Sequence, residues 1–156
     1  MADSSISEIV DALRAHTGNA CFACGPSNPI GLRVDGFSLR DGDVVATFLA
    51  RSEYRGTERS LHGGVAATAL DEILVWAGIL QEYVLTVTAK MEVRYHRPVE
   101  PTENRLELRA RVTERRGRRL TMSGELIGAD GAKAVSAKGL YLVSHPVAEL
   151  IEALRA

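Results

Sequence analysis

Aromatic residues are scarce in this sequence, with three Phe, four Tyr and one Trp among 156 residues, and none builds an RNA-stacking motif on a basic strand. With a formal net charge of -1, this argues against nucleic acid as a partner. Cysteine is limited to two residues. The start, Met1-Ala2-Asp3-Ser4-Ser5, lacks the basic stretch and apolar run of a secretory signal, so the expectation is a cytoplasmic protein with reduced thiols. A P-loop, a Rossmann glycine signature, an H-E-x-x-H motif, internal repeats and low-complexity segments are all missing, which removes nucleotide hydrolysis and zinc proteolysis from consideration.

What is present centres on residues 60–81. From Val65 onward apolar residues occupy every side of a 3.6-residue wheel, and a helix that is hydrophobic all round has to be wrapped by its own domain. It reads as too short for a membrane span, which needs about 20 apolar residues, and Asp71 and Glu72 interrupt it. Gly63 and Gly64 stand at its start, where unpaired N–H groups and a partial positive charge suit a developing oxyanion.

Around this helix the pattern predicts an amphipathic helix over residues 5–14 and a hairpin of residues 32–39 and 44–49 about Asp41-Gly42. A polar loop over 51–59 follows. Residues 86–95 alternate, with Val87, Ala89, Met91, Val93 and Tyr95 on one side and Thr88, Lys90, Glu92 and Arg94 on the other. Three further strands follow, the last over 132–143, and then a terminal helix over 147–154. The fold class is α+β, one long helix wrapped by an antiparallel sheet. Cys21 and Cys24 form a lone C-x-x-C in a turn-rich segment; zinc needs four ligands and only His16 lies nearby in sequence, so the reading is small buried thiols and no metal.

The order Cys21-Phe22-Ala23-Cys24-Gly25 with Asn28-Pro29-Ile30-Gly31-Leu32, then His62-Gly63-Gly64 with Asp71, then Thr88-Ala89 through Tyr95-His96-Arg97-Pro98, resembles the PaaI-type branch of the hotdog-fold thioesterases. The resemblance covers about residues 20–143. It implies a hotdog fold with a five- or six-stranded sheet, an N-terminal helical extension over 1–19, a core over 20–143 and a C-terminal helix over 144–156. It also implies hydrolysis of acyl-CoA, with coenzyme A part of the substrate and no separate cofactor, by a homodimer or dimer of dimers. Gly63 matches the position whose N–H polarises the thioester carbonyl, and Asp71 the acid that acts as nucleophile or general base. His62 matches the residue that shapes the carbonyl site, and Thr88 a threonine that positions water. Gly64 and Glu72 are assigned to substrate binding, Asp71 being preferred over Glu72 as the acid on spacing. Residues 90–119 hold ten Lys or Arg against five Glu, and Arg94, Arg97, Arg116, Arg118 and Arg119 are the expected partners of the CoA phosphates.

Helix rise adds a consequence of its own. Eight residues separate Gly63 from Asp71, about 12 Å along a helix, whereas both groups must lie within about 3 Å of one reacting centre. If both act on one thioester, they come from different subunits related by a two-fold axis. Hydrolysis of acyl groups on a carrier protein and a non-catalytic acyl-CoA-binding module are the alternatives to acyl-CoA hydrolysis.

Overall fold

The structure, a computed structural model, describes residues 3–15, 19–101 and 103–156. The apolar stretch beginning at Val65 forms α2 (Gly63–Glu82), capped by His62 and ended by Tyr83 in a left-handed conformation. In chain order, α1 (Asp3–Arg14), β1 (Asp35–Arg40), β2 (Asp43–Leu49), β3 (Arg55–Thr57) and β4 (Ser60–Leu61) precede it, and β5 (Val84–Tyr95), β6 (Arg105–Arg116), β7 (Arg119–Ile127), β8 (Lys133–Pro146) and α3 (Val147–Arg155) follow. Six strands form one antiparallel sheet in the order β1-β2-β6-β7-β8-β5. This is the wrapped-helix arrangement expected from the sequence. The expected polar loop over 51–59 instead holds a 3-10 turn (Ser52–Tyr54) and β3, which pairs with β4 just beyond it and feeds the chain into α2.

At 20 residues and a mean hydropathy of 1.5, α2 is long and apolar enough to cross a membrane, contrary to the reading from its length. Packing decides otherwise. Ala69, Leu70, Ile73, Leu74 and Ala77 are completely buried, against inward residues of the sheet such as Phe48, Leu108, Met122 and Ala137. Truncating a side chain such as Leu74 to Ala in a core of this kind costs about 2–5 kcal/mol. Trp76 stacks on Phe37 of β1 with ring centroids 4.0 Å apart.

The two edges of the sheet differ. β1 has 6 residues and is irregular between Asp35 and Ser38, features that blunt an edge, whereas β5 has 12 residues and exposes Val87 and Tyr95. The alternation expected for β5 also breaks. Thr88 pairs with Tyr141 and Lys90 with Leu140, so Ala89 is an extra residue, a β-bulge. A bulge shifts the side-chain parity by one, so Thr88 faces α2 together with the buried Val84 and Thr86, and beyond the bulge Met91, Val93 and Tyr95 take over that face. Thr88 is therefore not on the outward side assigned to it by strict alternation.

Candidate active site

Asp71 lies about two turns into α2, half-buried, and two hydroxyls converge on it. Thr88 Oγ1 donates to Asp71 Oδ1 at 2.8 Å, and the Tyr141 hydroxyl donates to the same oxygen at 2.7 Å. Among the described residues Oδ2 has no partner. The carboxylate is thus held by one oxygen and presents the other.

Tyr141 is fully buried on β8, and its ring reaches Asp71 by crossing over Gly139. A Cβ on Gly139 would sit 2.2 Å from the Tyr141 ring, so any side chain there must displace it. Burial, then the bond to Asp71, pushes the phenol's pKa upward, which keeps it a donor. The sequence reading missed Tyr141. Its position in an alternating strand looks like core, and only its hydroxyl hints at a buried partner.

At the other end, His62 Nδ1 accepts the N–H of Gly64 at 2.9 Å, a side-chain N-cap. That bond occupies the N–H of Gly64, one of the residues assigned to substrate binding. The Gly63 N–H has no acceptor among the described residues and faces outward from the helix start, as an oxyanion donor must. The Tyr95 hydroxyl donates to the Gly63 carbonyl at 2.7 Å and anchors this turn to the far end of β5. A pocket of about 390 Å³ opens beside it, lined by Leu61, Gly63, Ala66, Tyr95, Pro98 and Val99 among others.

The thioesterase superfamily model matches residues 59–135, the stretch that carries His62, Gly63, Asp71, Thr88 and Tyr95. A solved thioesterase superfamily protein is 34% identical with a TM-score of 0.70; the match covers 77% of this chain and 61% of that one, so this chain spans less than two thirds of the relative. By these matches the chain is similar to the thioesterase superfamily. More distant structures share its fold: the E. coli PaaI protein from the phenylacetic acid degradation operon, 18% identical, TM-score 0.66, covering 74% of this chain and 82% of that one; and a hypothetical thioesterase protein from Streptococcus pneumoniae solved with coenzyme A, 18% identical, TM-score 0.61, covering 72% and 85%. No curated protein matches. The resemblance to PaaI-type hotdog thioesterases is borne out at the level of the family.

Several residues expected at the substrate have other partners. Glu72 does not share the surroundings of Asp71: Trp76 Nε1 donates to its Oε1 at 2.8 Å, and Cys21 Sγ lies 3.8 Å from its Oε2. Burial, then the negative charge at Cys21, pushes the Glu72 carboxyl up to about 7. Cys21 is held down to about 5 chiefly by a hydrogen bond from the Cys24 thiol, assisted by backbone N–H groups and opposed by burial; the same bond and burial push Cys24 up. The expectation of two buried thiols holds for Cys24 only, since Cys21 is exposed. His16 lies outside the described residues.

The arginines are also committed. Arg97 forks onto Asp130 and donates to the Ala132 carbonyl, Arg116 pairs with Glu114 at 2.7 Å, and Arg118 donates twice to the Val143 carbonyl. Arg105, Arg109, Arg111 and Arg115 pair with Asp35, Glu107, Asp43 and Glu82. The basic excess of residues 90–119 is therefore largely neutralised by acids elsewhere in the chain. Arg94 lies on the face of β5 turned away from α2, and Arg119 is exposed at the β6-β7 turn. Within one chain that turn adjoins the C-terminal end of α2, through Arg115 and Glu82, and not Gly63.

Tyr141→Phe should lower kcat by about tenfold while leaving KM within about twofold, because the variant removes one of two bonds orienting Asp71 and nothing from the pocket beside Gly63. Gly139→Ala should reproduce the kcat loss by displacing the ring, with an added stability loss of about 1–3 kcal/mol from overpacking. Steady-state kinetics and thermal melts check both. Unchanged kcat in Tyr141→Phe would remove the tyrosine from the site.

Proposed function

We propose that this chain hydrolyses an acyl-CoA to the free acid and coenzyme A, with Asp71 of one subunit and the Gly63 N–H of another acting on the same thioester. The observation that carries the reading is the held carboxylate, with Thr88 and Tyr141 on Oδ1 and Oδ2 left open. A buried structural aspartate has its capacity filled; this one presents an unshared oxygen. The Gly63 N–H and the helix dipole behind it receive the carbonyl oxygen as it becomes an oxyanion. Asp71 either takes the proton of an attacking water or itself attacks the carbonyl carbon, with hydrolysis of the resulting anhydride. In both cases the C–S bond breaks and the thiolate of coenzyme A leaves and is protonated.

A CoA thioester is favoured over a carrier-protein thioester because a Streptococcus pneumoniae thioesterase protein and a Streptococcus mutans protein of the same fold are solved with coenzyme A and acetyl-CoA. A homodimer is the smallest assembly that the shared site requires. The long, open β5 edge supports it, since two copies paired there about a two-fold axis would continue the sheet and set the α2 helices side by side, antiparallel.

The test is a hydrolysis panel with thiol release as the readout, offering aromatic, short-chain and medium-chain acyl groups on coenzyme A and on a carrier protein. At least one acyl-CoA should turn over with kcat/KM about 10⁴ M⁻¹s⁻¹ or higher, above its carrier-linked counterpart. Thiol release from none of them, by protein of verified fold, would sink the proposal.

A further inference from the structure

We propose that Cys21, Cys24 and Glu72 form a binding site for a thiophilic divalent cation of the Zn²⁺ class. The three side chains come from two elements 48 or more residues apart, the loop of residues 19–34 and the middle of α2, and their ligand atoms all lie within 4.8 Å of one another. A tetrahedral zinc with bonds of about 2.3 Å to sulfur and about 2.0 Å to oxygen sets its ligand atoms about 3.5–3.8 Å apart. Cys21 Sγ and Glu72 Oε2 are already 3.8 Å apart. Two thiols and a carboxylate suit a borderline-soft ion and not magnesium or calcium.

The loop is shaped for the role. The Gly25 N–H donates to the Cys21 carbonyl at 2.9 Å, closing a tight turn that holds both thiols in one loop. A Cβ on Gly25 would stand 2.4 Å from the Cys21 nitrogen, so no other residue permits this turn. The turn is fastened from outside by Asn28, whose Nδ2 donates to the Ala20 carbonyl, and by the N–H groups of Leu32 and Val34 on the Phe22 and Ala23 carbonyls. Glu72 is oriented in turn by Trp76 Nε1 on its other oxygen, the kind of outer partner that fixes metal-ligating carboxylates. Cys24 is buried and Cys21 exposed, so the fourth position opens toward solvent and takes water. A bound ion would fasten the 19–34 loop to α2 at the residue after Asp71. The assignment stands independently of thioester hydrolysis.

The full chain, reduced and dialysed free of metal, is titrated with Zn²⁺ against a chromophoric chelator and with Co²⁺ by absorption. Expected are one ion per chain, a thiolate-to-cobalt charge-transfer band, and a rise in melting temperature of about 5 °C or more at a zinc concentration 100 times the dissociation constant. Glu72→Gln keeps the shape of the carboxylate and the bond to Trp76, and should weaken zinc binding by at least about tenfold while the cobalt band persists. Cys24→Ala should abolish both. Should that variant fail to fold, Cys21→Ser, at an exposed position, carries the same expectation. Absence of the charge-transfer band with both thiols verified as reduced, or equal zinc affinity in wild type and Glu72→Gln, overturns the site.

Discussion

Asp71→Asn should lower kcat by about 100-fold or more, with KM changing far less and the fold intact. Asparagine is the informative replacement. Its amide oxygen can still accept from Thr88 and the buried Tyr141, whereas alanine would leave the buried tyrosine hydroxyl with only the weak acceptor Met91 Sδ at 3.8 Å, at about 1–3 kcal/mol. A loss of turnover in the asparagine variant therefore reports chemistry, and one in the alanine variant mixes chemistry with damage. Glu72→Gln is the comparison, because its carboxylate faces Trp76 and Cys21 and not the pair of hydroxyls. It should lose less than about tenfold. Kinetics on the best acyl-CoA of the panel, with a melting curve for each variant, settle the matter, and the larger loss at Glu72 would transfer the acid's role to it.

The long helix and the sheet around it were legible because apolar periodicity is local. The site was legible only in part, for two physical reasons. First, strand parity depends on register with the partner strand: nothing in Thr88-Ala89-Lys90 announces a bulge, which exists because Thr88 faces Tyr141 and Lys90 faces Leu140 on β8. Reading the strand alone put Thr88 on the outward side, and the bulge turns it to Asp71. Secondly, partners distant in sequence leave no periodic trace. Tyr141 and Asp71 are 70 residues apart, Cys21 and Glu72 51, and Arg97 and Asp130 33, so the pairs that define the acid's surroundings and consume the arginines appear only once the chain is folded. A helix start is a local feature, which is why Gly63 and Gly64 stand out together; the choice of Gly63 comes from the family resemblance. That Gly63 and not Gly64 keeps a free N–H follows from which of them His62 caps.

An inactive Gly63→Pro chain and an inactive Asp71→Asn chain should restore activity when mixed and refolded together, to about a quarter of wild type for random pairing with independent sites. The expectation rests on the distance of about 12 Å that eight residues of helix place between the two groups, which no side-chain motion of one aspartate spans. Proline at Gly63 deletes the one N–H assigned to the carbonyl and is otherwise well placed. It would occupy the first position of α2, where proline is tolerated because that N–H has no helical partner. An added Cβ there would come to 3.3 Å from the ring of Tyr95, which is half exposed and has room to give by a few tenths of an ångström. In a mixed dimer one site would pair the proline turn with the asparagine and carry both defects, while the other pairs a native Gly63 with a native Asp71. Half of the dimers are mixed under random pairing, and half of the sites in each are intact, which gives the quarter. Native mass spectrometry establishes that mixed dimers have formed, and thiol release measures the recovery. Mixed dimers without recovered hydrolysis would exclude the shared site, leaving either Gly63 or Asp71 without the role assigned to it.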